Sequence, residues 1–139
     1  MTTTRGLFLC TGNSCRSQMA EGLLAAVGDD FFTLSAGVDP HGLNPLAVKA
    51  MAEIGLDISG QSSDHIDDYV DQSFDYVITV CDHVREACPV FPIGQQVYWS
   101  FDDPAQAGGT EEERMAVFRR IRDEIQRQLQ EFASGLRDP

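Results

Sequence analysis

The chain is poor in positive charge: 10 lysines and arginines stand against 22 acidic residues, giving a formal net charge of -12. That balance argues against nucleic acid, whose phosphates need a basic face, and equally against an anionic membrane surface. No apolar run is long enough for a signal peptide or a membrane span, and the Met1–Arg5 start is short and polar, so the cytoplasm is the expected compartment. Four cysteines in 139 residues are too few for a disulfide scaffold, and a reducing compartment keeps them as thiols. Catalysis or metal binding remains for them. No repeat, low-complexity tract or linker interrupts residues 1–139, so the chain reads as one domain large enough to bury its own core. An anion bound by such an acidic protein has to be held by donors concentrated in one pocket.

What is present alternates. "GLFLC" (6–10), "FFTLSAG" (31–37), "DYVITV" (75–80) and the weaker "QVYWS" (96–100) read as strands. "SQMAEGLLAAVG" (17–28) spaces Met19, Ala20, Leu23, Leu24 and Val27 as a helix, with Gly28 as its stop. "NPLAVKAMAEIG" (44–55) opens with an Asn-Pro cap and ends on a glycine. Met115, Phe118, Ile121, Ile125, Leu129 and Phe132 recur at steps of three and four, a long amphipathic helix. Strand–helix alternation predicts an α/β fold, a mostly parallel four-stranded sheet between helical layers. Ligands of such sheets bind at the carboxyl ends of the strands. Cys10, Cys81 and Asp102–Asp103 all follow strands directly, so three chemically interesting groups are expected at one edge.

"FLCTGNSCRSQMAEG" (8–22) carries the densest chemistry. A loop turning from strand to helix points successive backbone N–H groups inward and makes an anion nest from Thr11, Gly12, Asn13, Ser14, Cys15 and Arg16. Gly12 and Asn13 are the residue types that most readily take the left-handed conformation of such a turn. Arg16 adds a planar fork of donors for a tetrahedral oxyanion, and the helix beginning near Ser17 adds partial positive charge. Cys10 in that setting is expected to act as a thiolate, with Ser17 donating to its sulfur. A buried structural cysteine beside a turn is the plainer alternative. Zinc bound by Cys10, Cys15, Cys81 and Cys88 is another, but their gaps do not match the tight C-x2-C knuckle.

C-x(5)-R after a strand resembles the phosphate loop of the low-molecular-weight tyrosine phosphatase fold, and "CTGNSCRSQMAEG" resembles the thioredoxin-coupled arsenate reductases built on it. "SAG", "HGLNPLAVKAM", "DISGQSSDHI", "VITVCDHVREACP" and "WSFDDPA" extend the resemblance along the chain in family order. Two departures count against a phosphotyrosine phosphatase: Gln18 follows "RS" where proline is usual, and Ala105 follows "DP" where tyrosine is usual.

"VCDHVREACP" places Cys88 seven positions after Cys81. On a helix the two Cα atoms would lie about 10 Å apart, whereas a disulfide needs roughly 4.4–6.8 Å. Bonding therefore requires the segment to unwind, and Pro89 with no long apolar face makes that easy. A phosphatase needs one cysteine; a reductase must dispose of two electrons and needs further thiols. The resemblance implies that Cys10 attacks arsenate, that Cys81 and then Cys88 take over the oxidation, and that reduced thioredoxin restores the thiols. Glutaredoxin- or mycothiol-linked relatives leave the reductant open. It also implies a general acid on a mobile loop at Asp103, with Asp102 as the competing assignment, and a weak potassium site at Asn13, Glu21, Ser35 and Asp64, residues that could equally be hydrogen-bond supports. Cys15 is expected to offer its backbone N–H and not its sulfur. His41, His65 and His83 show no ligand spacing, and Trp99 reads as packing. A monomer is expected. The rival readings are a phosphatase of the same fold, for which weak side activity is natural, and a non-catalytic thiol redox sensor.

Overall fold

The computed structural model describes residues 3–82, 91 and 94–137. Among the described residues, four strands, β1 (Thr4–Leu9), β2 (Phe31–Ala36), β3 (Tyr76–Thr79) and β4 (Gln95–Tyr98), and three helices, α1 (Arg16–Ala25), α2 (Pro45–Ala52) and α3 (Glu111–Arg137), follow one another as β1-α1-β2-α2-β3-β4-α3. The sheet runs β2-β1-β3-β4 and every pairing is parallel, with Leu9 opposite both Ala36 and Thr79. β1 is central, so the chain leaves it toward β2 on one side and reaches β3 on the other. The carboxyl end of β1 is thus the switch point at which such sheets open a crevice.

Successive residues of β1 go to opposite faces. Phe8 joins Met19, Leu24, Met51, Ile78, Met115, Phe118, Ile121 and Ile125 in the larger core, to which all three helices contribute. Leu7 and Leu9 join Ile66, Phe74, Val77 and Phe91 on the other face, where the 3-10 helix Ile66–Tyr69 covers the sheet. Trp99 packs as expected, its ring edge-on to Phe132 at 5.5 Å between centroids.

Two helix ends show how local chemistry sets the frame. Asn44 caps α2, its Oδ1 accepting from Leu46 N at 2.8 Å ahead of Pro45. α1 ends at Ala25, before the glycine expected to stop it: Ala26 keeps helical dihedrals and Val27 N bonds back to Leu24 O at 3.0 Å, tightening the last turn. Its first turn is stranger still. Arg16, Ser17 and Gln18 are polar yet buried, which breaks the amphipathic rule and marks a site.

Candidate active site

Cys10 follows β1 directly, with its N–H bonded to Ala36 O at 3.3 Å. Its buried sulfur lies 2.8 Å from Ser17 Oγ. Between them the loop is turned inside out. Thr11 O accepts from Val38 N and Asp39 N at 3.1 and 3.0 Å, Gly12 O from His41 N at 2.9 Å, and Ser14 O from Asn44 N at 3.1 Å. Asn13 O accepts from Gln18 Nε2 at 3.0 Å and Ser63 Oγ at 2.8 Å. Four consecutive carbonyls are therefore taken up by the surrounding chain.

The turn itself rests on Asn13, whose φ of 45° is the one left-handed value outside glycine among the described residues. Gly12 was expected to share that conformation. It is needed instead for space, because a Cβ there would come within 2.5 Å of the His41 ring.

Asn13 is the hub of the support. Its Nδ2 donates to Ser17 Oγ at 2.8 Å and to Ser35 Oγ at 2.9 Å, and its Oδ1 accepts from Asp64 N at 2.8 Å. Ser35 Oγ in turn donates to Glu21 Oε1 at 2.6 Å. The Asp64 carboxylate is held by Ser62 Oγ at 2.6 Å and Tyr69 OH at 2.5 Å. The four residues expected as potassium ligands thus converge, and they do so as hydrogen-bond supports of the loop. Among the described residues no group of three or more His, Cys, Asp or Glu side chains could hold a metal ion. Burial pushes the Glu21 carboxyl up to about 7, with Ser35 offsetting part of the effect and Asp64 adding to it. Tyr69 is pushed up by burial and by its bond to Asp64.

Arg16, almost fully buried, spans two elements. Its Nη1 donates to Phe101 O at 3.1 Å, and its Nη2 stands 3.7 Å from Asp103 Oδ2. Asp103 Oδ1 accepts from Ala105 N at 3.0 Å, capping the 3-10 helix Pro104–Gln106. Asp102 faces the other way, 3.4 Å from Arg120 Nη2. Geometry separates two aspartates that the sequence leaves in competition. Cys15 is sealed in: burial pushes its thiol up to about 12, Ser14 only partly offsetting this, and Asp103 and Cys10 raise it further.

Cys81 is fully buried just beyond β3, the neighbour of β1. It is disulfide-bonded, whereas Cys10 and Cys15 are free thiols. Cys88 and His83 lie outside the described residues. The other two histidines are ordinary: His65 Nδ1 accepts from Asp67 N at 3.0 Å, and His41 lies 3.6 Å from Asp39.

Gly37, Gln61 and Ser63 were not expected at the site, and Gln18 was noted only as a departure from proline. Gly37 presses on the loop so closely that a Cβ would meet Thr11 O at 2.5 Å and Cys10 O at 2.7 Å. Gln18 ties Asn13 O to Ser62 O, at 2.8 Å from the latter, and Gln61 Nε2 in turn donates to Gln18 Oε1 at 2.9 Å. A proline at position 18 could make neither bond. Ser63 braces the same carbonyl. The available signals were a glycine directly after a buried strand and a polar "GQSS" run with no other purpose.

The geometry agrees with the relatives. The pattern of the low molecular weight phosphotyrosine protein phosphatase family matches residues 5–138. An arsenate reductase of Halalkalibacterium halodurans is 56% identical over 128 residues, covering 91% of this chain and 92% of that one. The solved structure of an arsenate reductase in the phosphate binding state superposes with a TM-score of 0.74 at 29% identity, covering 96% of this chain and 98% of that one. A thioredoxin-dependent arsenate reductase of Corynebacterium glutamicum also has a TM-score of 0.74 at 26% identity, covering 98% of this chain and 63% of the other. With its loop at the end of β1 and a disulfide-bonded cysteine just beyond the adjoining strand, the chain belongs to the low molecular weight phosphotyrosine protein phosphatase family, beside its arsenate reductases.

Proposed function

We propose that this protein reduces arsenate to arsenite through a relay of Cys10, Cys81 and Cys88, with reduced thioredoxin as electron donor in the cytoplasm. One observation carries the reading: Cys81, at the strand end beside Cys10, is disulfide-bonded while both loop cysteines are free. Hydrolysis of a phosphate ester has no use for that second sulfur. The high identity to arsenate reductases and the likeness to a thioredoxin-dependent one support the same choice.

The chemistry follows from the loop. Its carbonyls are bonded outward, which favours N–H groups of Thr11 to Arg16 converging on an oxyanion, completed by the Arg16 fork. The Cys10 thiolate, stabilised by Ser17, attacks arsenic; an As–O bond breaks and Asp103 protonates the departing hydroxide to water. Cys81 as thiolate attacks Cys10 Sγ. The S–As electron pair stays on arsenic, which leaves as arsenite, and a Cys10–Cys81 disulfide forms. Cys88 attacks Cys81, freeing the Cys10 thiolate and leaving Cys81–Cys88, which the thioredoxin dithiol reduces by exchange. Two electrons enter and two reach arsenic.

Mass spectrometry of trapped disulfides after arsenate treatment tests the order of bonds. Cys88→Ser should release about one arsenite per protein, the stoichiometry of a single relay pass, and then stall. Sustained turnover of that variant with thioredoxin would overturn the relay, as would any arsenite from Cys10→Ser. Rapid hydrolysis of p-nitrophenyl phosphate with no thioredoxin-dependent arsenate turnover would favour the phosphatase instead.

A further inference from the structure

One positive charge near the loop has no counter-charge. Arg114 lies in the first turn of α3 after Glu111, Glu112 and Glu113, and each of these carboxylates is engaged elsewhere. Glu111 Oε2 is 3.4 Å from Lys49 Nζ, and Glu112 Oε1 is 2.9 Å from Arg119 Nη1. Glu113 Oε1 folds back to accept from Thr110 N and Oγ1 at 3.3 and 3.1 Å. The Arg114 guanidinium makes no hydrogen bond or ion pair among the described residues, and its Nε is buried without an acceptor. Arg16, Arg119, Arg120 and Arg122 all have acceptors. A buried donor left unsatisfied calls for an explanation.

Arg114 lines a cavity of about 300 Å³ whose other walls come from Asn44, Pro45, Leu46, Pro104, Ala105 and Phe118. Two of those walls continue directly from the anion loop. Asn44 N holds Ser14 O at 3.1 Å, and Pro104 follows Asp103, whose carboxylate lies 3.7 Å from Arg16. The cavity is thus a neighbour of the loop, with Arg114 and Phe118 of α3 among its walls.

A dianion approaching a protein of net charge -12 is repelled over most of the surface, and a local cation at the mouth raises its rate of arrival. We propose that this cavity is a capture site for the tetrahedral oxyanion on its way to Arg16, with Arg114 as its binding residue. The guanidinium fork suits such an anion, arsenate or phosphate alike. The assignment to arsenate turnover rests on the function proposed above; the anion site itself does not.

The test uses the full-length protein with Arg114→Met, which keeps the apolar stem, and Arg114→Lys, which keeps the charge. At low ionic strength R114M should lower kcat/KM for arsenate about fivefold with kcat unchanged, R114K should recover most of the loss, and 0.5 M salt, about the range where screening becomes short, should erase the difference. In the Cys10→Ser background, which needs no turnover, R114M should weaken inorganic phosphate binding by a similar factor, read by phosphorus NMR. Equal values for R114M and its parent at low salt in both measurements would overturn the site. A fall in kcat that persists in high salt would do so too, by showing a structural role. If R114M disturbs the fold, Arg114→Gln replaces it. Absence of arsenate turnover in the unmodified protein would sink the reductase reading alone, and the phosphate arm would still judge Arg114.

Discussion

Ser17 Oγ lies 2.8 Å from Cys10 Sγ, and the same oxygen accepts from Asn13 Nδ2. Asn13 Nδ2 gives one hydrogen to Ser17 Oγ and the other to Ser35 Oγ, its orientation being fixed by Asp64 N on its Oδ1. Ser35 passes its own hydrogen on to Glu21, and Ser17 keeps one to offer the sulfur whenever Cys10 is a thiolate, which can only accept. Hydrogen bonds to charged groups contribute about 1.5–3 kcal/mol. Ser17→Ala should slow iodoacetamide alkylation of Cys10 at pH 7 by about tenfold or more, measured by mass spectrometry on the protein's own Cys10 peptide. Asn13→Ala should produce a comparable loss although it does not touch the sulfur.

Asp103 and Asp102 are adjacent in sequence and separate in space. Asp103 stands beside Arg16, while Asp102 pairs with exposed Arg120. General-acid assistance contributes typically 10²–10⁴-fold, whereas an exposed ion pair is worth about 0–1 kcal/mol. Asp103→Asn should lower the rate of the first arsenite release in single-turnover kinetics by about a hundredfold. Asp102→Asn should leave it within about a factor of two.

The Glu21 carboxyl, raised by burial from 4.5 to about 7, gives stability a pH dependence of defined sign. Below the unfolded value both states hold the proton, and the folded protein keeps its full stability from this group. As pH rises from 4.5 through about 7 the unfolded chain releases the proton and the folded one resists, so stability falls. The loss is on the order of 3 kcal/mol and levels off above that window. Chemical denaturation across pH 4.5–8 should show this decline, and Glu21→Gln should flatten it.

Gly37 packs against the loop backbone with no room for a side chain. A methyl group there meets two carbonyl oxygens at under 3 Å, and neither can move without shifting Cys10 or Thr11. Overpacking of this kind typically costs about 1–3 kcal/mol. Gly37→Ala should lower the midpoint of thermal unfolding and cut arsenate turnover by more than its stability loss explains. Turnover matching the parent protein would show that the loop tolerates the displacement.

The sheet, its helices and the loop were legible because each has a local signature. Period-two and period-3.6 patterns give β1 to α3, and Cys10 to Arg16 brackets a turn whose Asn13 takes the expected left-handed form. What was not legible is distant in sequence. Asp102 and Asp103 present the same chemistry to a reader of the chain, and only the positions of Arg16 and Arg120 separate them. Ser63 bonds Asn13 and Gln61 bonds Gln18 across 50 and 43 positions, which no window captures. Gly37 looks like a strand end; the pressure of another backbone segment on it appears only in three dimensions.

The outward tethering of the carbonyls from Thr11 to Ser14 has a consequence for selectivity. On the proposed function, a receptor written in main-chain amides measures size, geometry and ionisation, and on those scales arsenic(V) and phosphorus(V) oxyacids are nearly twins. Discrimination must then come after docking, from which central atom can accept an electron pair. Abundant cellular orthophosphate would occupy the same cup unproductively, as a tenant that is never converted.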